Sequence, residues 1–165
     1  MVSAQPATEA PEAAGATVLA FRVAGERYGL GLDEIVQVVA MVAVSPLPGA
    51  PEVVLGVMNY RGRVIPVLDL RRRLGLVPLG YGTDACLVVA RAGSRVVAIV
   101  ADEVIDVARL DVGKVSALTT VFPGDAAVSG LVALADGLLL IVDLEAFLTV
   151  DEARRLDEAL DGADA

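Results

Sequence analysis

The stretch GVMNYRGRVIPVLDLRRRLGL, from Gly56 to Leu76, places an almost unbroken apolar centre between a turn and a run of arginines. The segment from Val64 to Leu68 is rich in branched apolar residues, which predicts a core strand. The preceding NYRG is typical of a turn between two apolar strands, where a side chain projects from a rigid scaffold. Because Asp caps helix starts well, Asp69 is predicted to begin a short helix in DLRRRL.

The same pattern occurs a second time farther along the chain. An alignment of Gly56 with Gly130 keeps a constant spacing and matches Val57, Val64, Ile65, Asp69, Leu70 and Leu74 with Leu131, Leu138, Leu139, Asp143, Leu144 and Leu148. Upstream, LAFRVAGERY (19–28) matches LVVARAGSRV (87–96), which predicts a hairpin in each half. We therefore expect two tandem units, each with about five short strands that close as a small barrel. A short helical segment is expected to follow each unit, DLRRRL in the first and DLEAFL in the second.

The body of the chain is expected at residues 17–150, with the first barrel mainly at 17–77 and the second mainly at 84–150. The Pro-rich segment SPLPGAPE (45–52) predicts a surface loop, because proline interrupts a central strand. PLGYGTD, at residues 78–84, is rich in residues that break regular structure, so it is interpreted as the linker between the halves.

The two ends of the chain differ from the body in composition. Residues 1–16 contain Ala, Pro, Glu and Thr without periodicity, which predicts a disordered leader. Residues 151–165 space their apolar side chains at helical intervals, and we expect a C-terminal helix and acidic tail there. Asp151 is its expected N-cap, and Gly162 is expected to lie past its end.

Composition narrows the possible functions. The chain contains no histidine, so the commonest general base and metal ligand and the Ser-His nucleophile pair are absent. A net charge of −9 repels phosphate backbones, so nucleic-acid binding is not expected. The single Cys86 lies in the apolar context ACLVVA and is interpreted as a small buried side chain. We expect no metal and no cofactor, and a carboxylate-dependent hydrolase is the enzyme alternative.

Targeting signals are also missing from the sequence. No apolar run approaches the roughly 18 residues of a membrane span. The N-terminal MVSAQPATEAPEAAG lacks the basic start and apolar stretch of a signal peptide. The sequence therefore predicts a cytoplasmic protein that does not insert directly into a membrane.

The charged residues receive different interpretations. Arg71, Arg72 and Arg73 are consecutive on a short helix, so they point in different directions and are predicted to form a solvated face. Arg63 is interpreted in the same way. Arg61 lies in the turn and is the candidate for recognition. The acids of ADEVIDV, Asp102, Glu103 and Asp106, are expected to cap or form a turn rather than to build a carboxylate site.

From about Val18 to Leu148, the sequence resembles the CheW family of chemotaxis coupling proteins. The family pattern of Gly, Asn, an apolar residue, Arg-Gly and a strand with Pro that ends in Asp-Leu is met by Gly56, Asn59, Tyr60, Arg61, Gly62, Pro66, Asp69 and Leu70. The segments RVVAIVADEVIDV and SGLVALADGLLLIVDLEAFL are also similar to the corresponding family segments.

The resemblance implies a mainly β fold of two intertwined, five-stranded SH3-like barrels that exchange elements, with short helices and a C-terminal helix, and no catalysis. It implies an adaptor between the cytoplasmic tips of methyl-accepting chemoreceptors and the regulatory domain of the histidine kinase CheA. Family members receive the receptor tip in the apolar groove between the barrels, near the Asn-x-Arg-Gly turn. The interface residues that the resemblance implies are Ile35, Gln37, Gly56, Asn59, Arg61, Gly62, Val104 and Val107.

Two positions depart from the family pattern. Many members carry a Glu that pairs with the motif arginine where this chain has Gln37. A neutral amide accepts a hydrogen bond but supplies no charge, which leaves Arg61 freer to meet an acidic partner. Ala98 stands where the family often has Gly, and its methyl group is expected to narrow a close backbone contact. A CheW-like paralogue that binds receptors or arrays without coupling them to the kinase remains the alternative function.

Overall fold

A computed structural model describes residues 16–76, 82–110, 116–117 and 127–164. Its strands are β1 (Ala16–Val23), β2 (Glu26–Gly31), β3 (Ile35–Ala40), β4 (Val54–Tyr60), β5 (Arg63–Leu68), β6 (Cys86–Ala92), β7 (Arg95–Ala101), β8 (Glu103–Leu110), β9 (Ser116–Ala117), β10 (Val128–Leu134) and β11 (Gly137–Val142). A 3₁₀ turn spans Leu32–Glu34, and the helices are α1 (Leu70–Arg73) and α2 (Val150–Asp164). The predicted leader lies outside the described residues except for Ala16, which begins β1. Most of the predicted linker, residues 77–81, also lies outside them.

The strands form two mixed sheets. One has the order β8-β1-β2-β11-β10-β9 and the other has the order β3-β6-β7-β5-β4. Neighbours pair antiparallel except at β2 with β11 and at β5 with β7, which are parallel. Each sheet thus joins the first hairpin of one sequence repeat to the later strands of the other. The sheets therefore do not divide the chain into 17–77 and 84–150: one is built from 35–101 and the other from both ends of the body.

The sequence repeat has a structural counterpart in backbone detail. The β4–β5 pair has a register shift between Val54 and Gly56, and the β10–β11 pair has one between Val128 and Gly130. Each hairpin also pairs with one further short segment. Ser45 forms a β-bridge with Val57 of β4, and Ser116 of β9 pairs with Leu131 of β10. The Asp69 amide donates to the Val53 carbonyl at 2.9 Å, and the Asp143 amide donates to the Ala127 carbonyl at 2.8 Å. The two halves therefore share their β-bulges, their short pairing segments and these backbone hydrogen bonds as well as their strands.

Strand alternation builds three apolar clusters. In β1, Leu19 and Phe21 belong to the largest cluster, which draws side chains from both sheets and so lies between them. The alternate residues Val18 and Ala20 belong to a small cluster that draws only on the six-stranded sheet. A third cluster, which includes Ile65, lies within the five-stranded sheet. Because successive side chains of a strand point to opposite faces, a strand such as β1 supplies both a barrel interior and the shared core.

The helices differ from the sequence predictions at their ends. Asp69 caps α1 as predicted, since its Oδ1 accepts from the Arg71 amide at 2.9 Å. The corresponding DLEAFL forms a turn rather than a helix. Helix α2 begins after Thr149 rather than Asp151, because the Thr149 Oγ1 accepts from the Glu152 amide at 3.0 Å while the Glu152 carboxylate accepts from the Thr149 amide at 2.9 Å. This capping box fixes the start of the helix, and Gly162 lies inside α2 rather than past its end.

The arginine run of α1 is not a solvated face, contrary to the prediction. Arg71 is only 6% exposed, and its Nη2 lies 2.6 Å from the Asp102 Oδ2 at the start of β8. The same Asp102 oxygen accepts from the amide of Ala24 at 2.9 Å, so Asp102 has the turn role that was expected of it. Arg73 pairs with Glu152 of α2 at 2.6 Å. Two of the three arginines thus tie α1 to distant parts of the chain.

Candidate functional site

The candidate site is the hairpin turn between β4 and β5. Arg61 and Gly62 both adopt the left-handed backbone, with φ of 54° and 82°, which is the geometry of the tightest hairpin turns. The Asn59 Oδ1 accepts a hydrogen bond from the Gly62 amide at 3.0 Å and so holds the turn from one side. Glycine adopts this φ without strain, which explains the Gly that follows Arg61. The Asn-x-Arg-Gly pattern is therefore a turn that presents the arginine side chain.

Gln37 holds that turn from the opposite edge of the same sheet. β3 and β4 are the two edge strands of the five-stranded sheet. The Gln37 Oε1 accepts from the Tyr60 hydroxyl at 2.7 Å and from the Arg61 Nη2 at 2.9 Å. An amide oxygen has two lone pairs, so one side chain satisfies both donors. We call Gln37, Tyr60 and Arg61 the latch, because these bonds join the two edges of the barrel at this end.

The latch holds the arginine without neutralising it. The Arg61 guanidinium lies 5.2 Å from the centre of the Tyr60 ring, which is a cation–π distance. Among residues 16–76, 82–110, 116–117 and 127–164, no carboxylate pairs with Arg61 or with the neighbouring Arg63. Both side chains are exposed. The turn therefore presents positive charge to solvent in a chain whose net charge is −9.

Gly56 lies at the bulge of β4 and is buried. A Cβ added there would lie 2.2 Å from the Ser45 carbonyl oxygen, because Ser45 forms its backbone bridge directly over the glycine. That distance is far inside van der Waals contact, so only glycine fits. Gly56 can shape the surface near the turn, but the backbone of Ser45 covers it.

The remaining predicted residues lie away from the latch. Ile35 at the start of β3 and Val104 in β8 are partly buried against the core between the sheets. Val107 is 54% exposed on β8, which is the edge strand of the six-stranded sheet. The structure thus joins Gln37, Asn59, Arg61 and Gly62 at one hairpin and places Val104 and Val107 in the other sheet.

Ala98 does not lie at the surface. It is fully buried within the five-stranded sheet, paired with Val89 on β6 and with Val67 on β5. Its methyl group packs in the core of that barrel. Alanine in place of the family's glycine therefore affects the packing of this barrel core.

Two features of the site were missed by the sequence prediction. Tyr60 was interpreted only as the apolar residue of the turn motif, although its hydroxyl donates to Gln37 and its ring lies against the Arg61 guanidinium. A tyrosine beside the arginine of a hairpin turn is a signal that could have indicated this role. Val64 was predicted to lie in the core, yet it is 54% exposed beside the turn, opposite Asn59. Its counterpart Leu138 is 51% exposed at the equivalent hairpin.

The described residues give little support to chemistry at a metal or thiol. They contain no group of three or more Cys, Asp or Glu residues suited to hold a metal ion. Cys86 is partly buried, and burial raises the pKa of its thiol, which disfavours the reactive thiolate. In the part of the chain that the structure covers, neither helix is long and apolar enough to cross a bilayer.

A groove elsewhere carries acidic side chains. It has a cavity volume of about 340 Å³ and is lined by Val18, Leu110 and Ile141 together with Asp33, Glu34 and Asp143. Burial raises the pKa of Glu34, and the charges of Asp33, Asp143 and Glu145 raise it further. Like charges thus lie close together in this groove.

The chain is similar to known proteins over most of its length. The model of the CheW-like domain matches residues 17–152. The chemotaxis protein CheW of Klebsiella aerogenes is 29% identical over 150 residues, which cover 90% of each chain. Protein FrzA of Myxococcus xanthus is 36% identical over 111 residues, covering 67% of this chain and 68% of that protein.

The crystal structure of the scaffolding protein TtCheW from Thermoanaerobacter tengcongensis has the same architecture. It superposes with a TM-score of 0.76 at 28% sequence identity and covers 83% of this chain and 94% of that one. The likeness confirms the predicted fold class, mainly β with two SH3-like barrels and a C-terminal helix.

Proposed function

The chain belongs to the CheW-like domain family, and we propose that it is a non-catalytic adaptor that couples chemoreceptor cytoplasmic tips to the regulatory domain of the histidine kinase CheA. The match over nearly the whole body of the chain carries this proposal. Its chemistry is that of an interaction module: differential affinity for signalling and non-signalling receptor arrangements shifts the kinase between active and inactive states. We propose that the protein acts in the cytoplasm, bound to membrane receptor arrays only through its partners.

The latch and the turn supply the proposed receptor contact. Arg61 projects from a hairpin turn whose backbone is held by Asn59, and the Arg61 side chain is itself held by Gln37. Such a preorganised group loses little side-chain entropy on binding, which favours affinity. Val64 is 54% exposed on the same hairpin, but it pairs with Asn59 and so lies on the face opposite Tyr60. Ile35, Gln37, Gly56, Gly62, Val104 and Val107 remain proposed contributors, with Gly56 acting on surface shape.

The acids of the 340 Å³ groove are the strongest argument for the enzyme alternative. A hydrolase needs two carboxylates that face one substrate with separated pKa values. Glu34 has a raised pKa, but burial and like charges account for it without a substrate. The family is one of non-catalytic adaptors, which favours the interaction module.

The test of this function is reconstitution with receptor and kinase. Receptor cytoplasmic fragments are assembled on vesicles with CheA, and kinase autophosphorylation is measured with and without the chain. An adaptor is expected to raise the activity, whereas the paralogue alternative would bind the receptor fragments in a sedimentation assay and leave kinase activity unchanged. Absence of both effects would reject both versions of the proposal.

The Arg61→Ala variant tests where the receptor is contacted. It is expected to reduce cosedimentation with the receptor fragments about tenfold, because it removes the charge that the turn presents. Arg91→Ala is the matched control, since Arg91 is also exposed and forms no described ion pair. Equal losses in the two variants would contradict the placement of the receptor at this turn.

A further inference from the structure

The arginines of this chain divide into two groups. The arginines on α1 and α2 and those at positions 22, 27 and 95 each have a carboxylate within 4 Å, and Arg71, 2.6 Å from Asp102, is the most buried of them. Within the described residues, Arg61, Arg63, Arg91 and Arg109 have none. Arg61 and Arg63 lie on one hairpin, on either side of Gly62. An acidic chain has therefore kept uncompensated positive charge at this turn.

The equivalent hairpin in the other half has the opposite arrangement. There the sequence repeat places Leu134 and Ala135 where the first half has Tyr60 and Arg61. The nearby Arg27 is neutralised by Asp136 at 3.1 Å. The strand register places Val104 where the first half has Gln37, because Gln37 pairs with Val89 and Val104 pairs with the matching Phe21. The latch is thus specific to one end of the molecule.

The neutral acceptor is the decisive part of the latch. A carboxylate at position 37 would hold Arg61 equally well but would cancel its charge. Gln37 fixes the guanidinium through one 2.9 Å bond, and no other hydrogen-bond acceptor of Arg61 lies among the described residues. Tyr60 shares that acceptor and lies against the guanidinium, so it limits the directions in which Arg61 can point.

We propose that the partner segment docked at this turn presents an acidic side chain to Arg61, and that Tyr60 is the positioning residue that aims the guanidinium at it. The inference rests on the proposed function and names the chemistry of that contact. A planar guanidinium with free donors matches a carboxylate bidentately. Val64 pairs with Asn59 on the face of the hairpin opposite Tyr60, so the proposed contact rests on the charge of Arg61 and not on this apolar side chain.

The test measures affinity against salt. The probe is the soluble cytoplasmic fragment of a chemoreceptor from the same organism, titrated with the full chain at about 50 mM and about 500 mM NaCl, between which the Debye length falls roughly threefold. The wild type is expected to bind more weakly at high salt. Arg61→Gln is expected to lose about tenfold at low salt and to show a flatter salt dependence, because a charge-assisted contact is gone.

The Gln37→Glu variant separates this idea from a purely structural latch. The added carboxylate keeps the hydrogen bonds and neutralises Arg61 internally, so binding should weaken about threefold at low salt and lose part of its salt dependence. A structural latch would predict equal or tighter binding. Equal affinity and equal salt dependence in Gln37→Glu would overturn the proposal of an acidic partner.

Two variants test Tyr60. Tyr60→Phe keeps the ring and loses the hydroxyl bond, whereas Tyr60→Leu copies the residue of the equivalent hairpin and loses both contacts. We expect a loss of about twofold for the first and about fivefold for the second, with the salt dependence kept in both because Arg61 remains charged. Wild-type affinity in Tyr60→Leu would overturn the positioning role.

Folding controls and the wild type keep the outcomes apart. Urea unfolding midpoints of all variants should match the wild type, and Arg91→Gln serves as the binding control. Wild-type binding with an unchanged Arg61→Gln variant would overturn this inference alone. No binding by the wild type would overturn the adaptor proposal and this inference with it.

Discussion

Two junctions of the molecule occupy equivalent positions in the sequence repeat and have opposite electrostatics. In the Arg71 junction, Asp69 caps α1 after β5, Arg71 follows, and Asp102 precedes β8. In the Glu145 junction, the repeat places Asp143 after β11, Glu145 at the position of Arg71, and Glu34 before β3 at the position of Asp102. One junction holds a 2.6 Å ion pair, and in the other burial and then the neighbouring carboxylates raise the pKa of Glu34.

The difference shows what the repeat requires and what it leaves open. Both aspartates accept a hydrogen bond from an amide of the following turn, Asp69 from Arg71 and Asp143 from Ala146 at 3.2 Å. That cap is common to the halves, because the chain turns sharply after each strand. The residue two positions later is free to vary, since the fold forms with either sign of charge there. Stability at the junctions is therefore expected to come mainly from the Arg71 side.

The largest effect is expected from Arg71→Glu, which makes the attractive junction a copy of the repulsive one. Arg71 is 6% exposed, and Asp102 would lose a buried partner while gaining a like charge. Removal of one member of a buried pair costs about 3 kcal/mol or more. Urea denaturation at neutral pH should show this loss in the free energy of unfolding.

Arg71→Met guards against a variant that fails to fold. It removes the charge and keeps much of the apolar volume, so its loss should be smaller than that of Arg71→Glu. Arg91→Glu is the matched control, an exposed arginine with no described carboxylate partner, and should change stability by less than about 0.5 kcal/mol. If Arg71→Glu were no more harmful than Arg91→Glu, the Arg71 junction would not be a source of stability.

Sequence patterns predicted the parts of the fold that depend on local chemistry. Strand alternation gave the hairpins around Gly25 and Gly93, and the aspartate after β5 gave the cap of α1. The repeat itself was visible because glycines and apolar residues return at a constant spacing. These features follow from period and turn chemistry, which a single sequence carries.

The exchange of hairpins between the sheets was implied by the family resemblance and does not follow from these local patterns. The parallel pairs β2–β11 and β5–β7 join residues far apart in the chain, and nothing in either strand specifies its distant partner. The prediction of a solvated arginine run was wrong for the same reason, since Asp102, the ion-pair partner of Arg71, lies far away in the sequence. Val64 was wrongly predicted to be buried, because an apolar residue near the end of a barrel strand can lie at a surface that no other element covers. The latch was predicted only in part, because Gln37 and Arg61 were paired through the family motif and Tyr60 was not.

A smaller effect is expected from Glu145→Arg, which builds the missing ion pair at the Glu145 junction. The arginine would lie at the position of Arg71 and face Glu34, whose charge is now repelled by Glu145. Because this junction is partly exposed, the gain should be about 1 kcal/mol in the free energy of unfolding. Glu145→Gln is the control that removes repulsion without adding attraction, and it should give part of the gain. A loss of stability in Glu145→Arg would show that a side chain at position 145 does not reach Glu34 as Arg71 reaches Asp102.

The smallest effect is a pH dependence that belongs to Glu34. Burial, then the charges of Asp33, Asp143 and Glu145, raise the pKa of this carboxyl above its ordinary value of 4.5. The folded chain therefore binds the proton more tightly than the unfolded chain, so the penalty of the charged form is fully present above the raised pKa and disappears as pH falls to the ordinary value. At neutral pH, Glu34→Gln should be more stable than the wild type by less than about 1 kcal/mol, since the group is partly solvated.

The advantage of Glu34→Gln should shrink as urea denaturation is repeated between neutral pH and about pH 4.5, because the wild-type carboxyl takes up its proton over that interval. Glu152 provides a contrast within the same chain. Burial opposes ionisation of Glu152, but hydrogen bonds from the Thr149 amide and from Arg73 outweigh it and lower the pKa of its carboxyl. Glu152→Gln should therefore be less stable than the wild type at neutral pH, and its deficit should close only as pH falls below the ordinary value. A constant advantage of Glu34→Gln over this pH interval would mean that the Glu145 junction carries no charge repulsion, and the contrast with the Arg71 junction would then lie in packing alone.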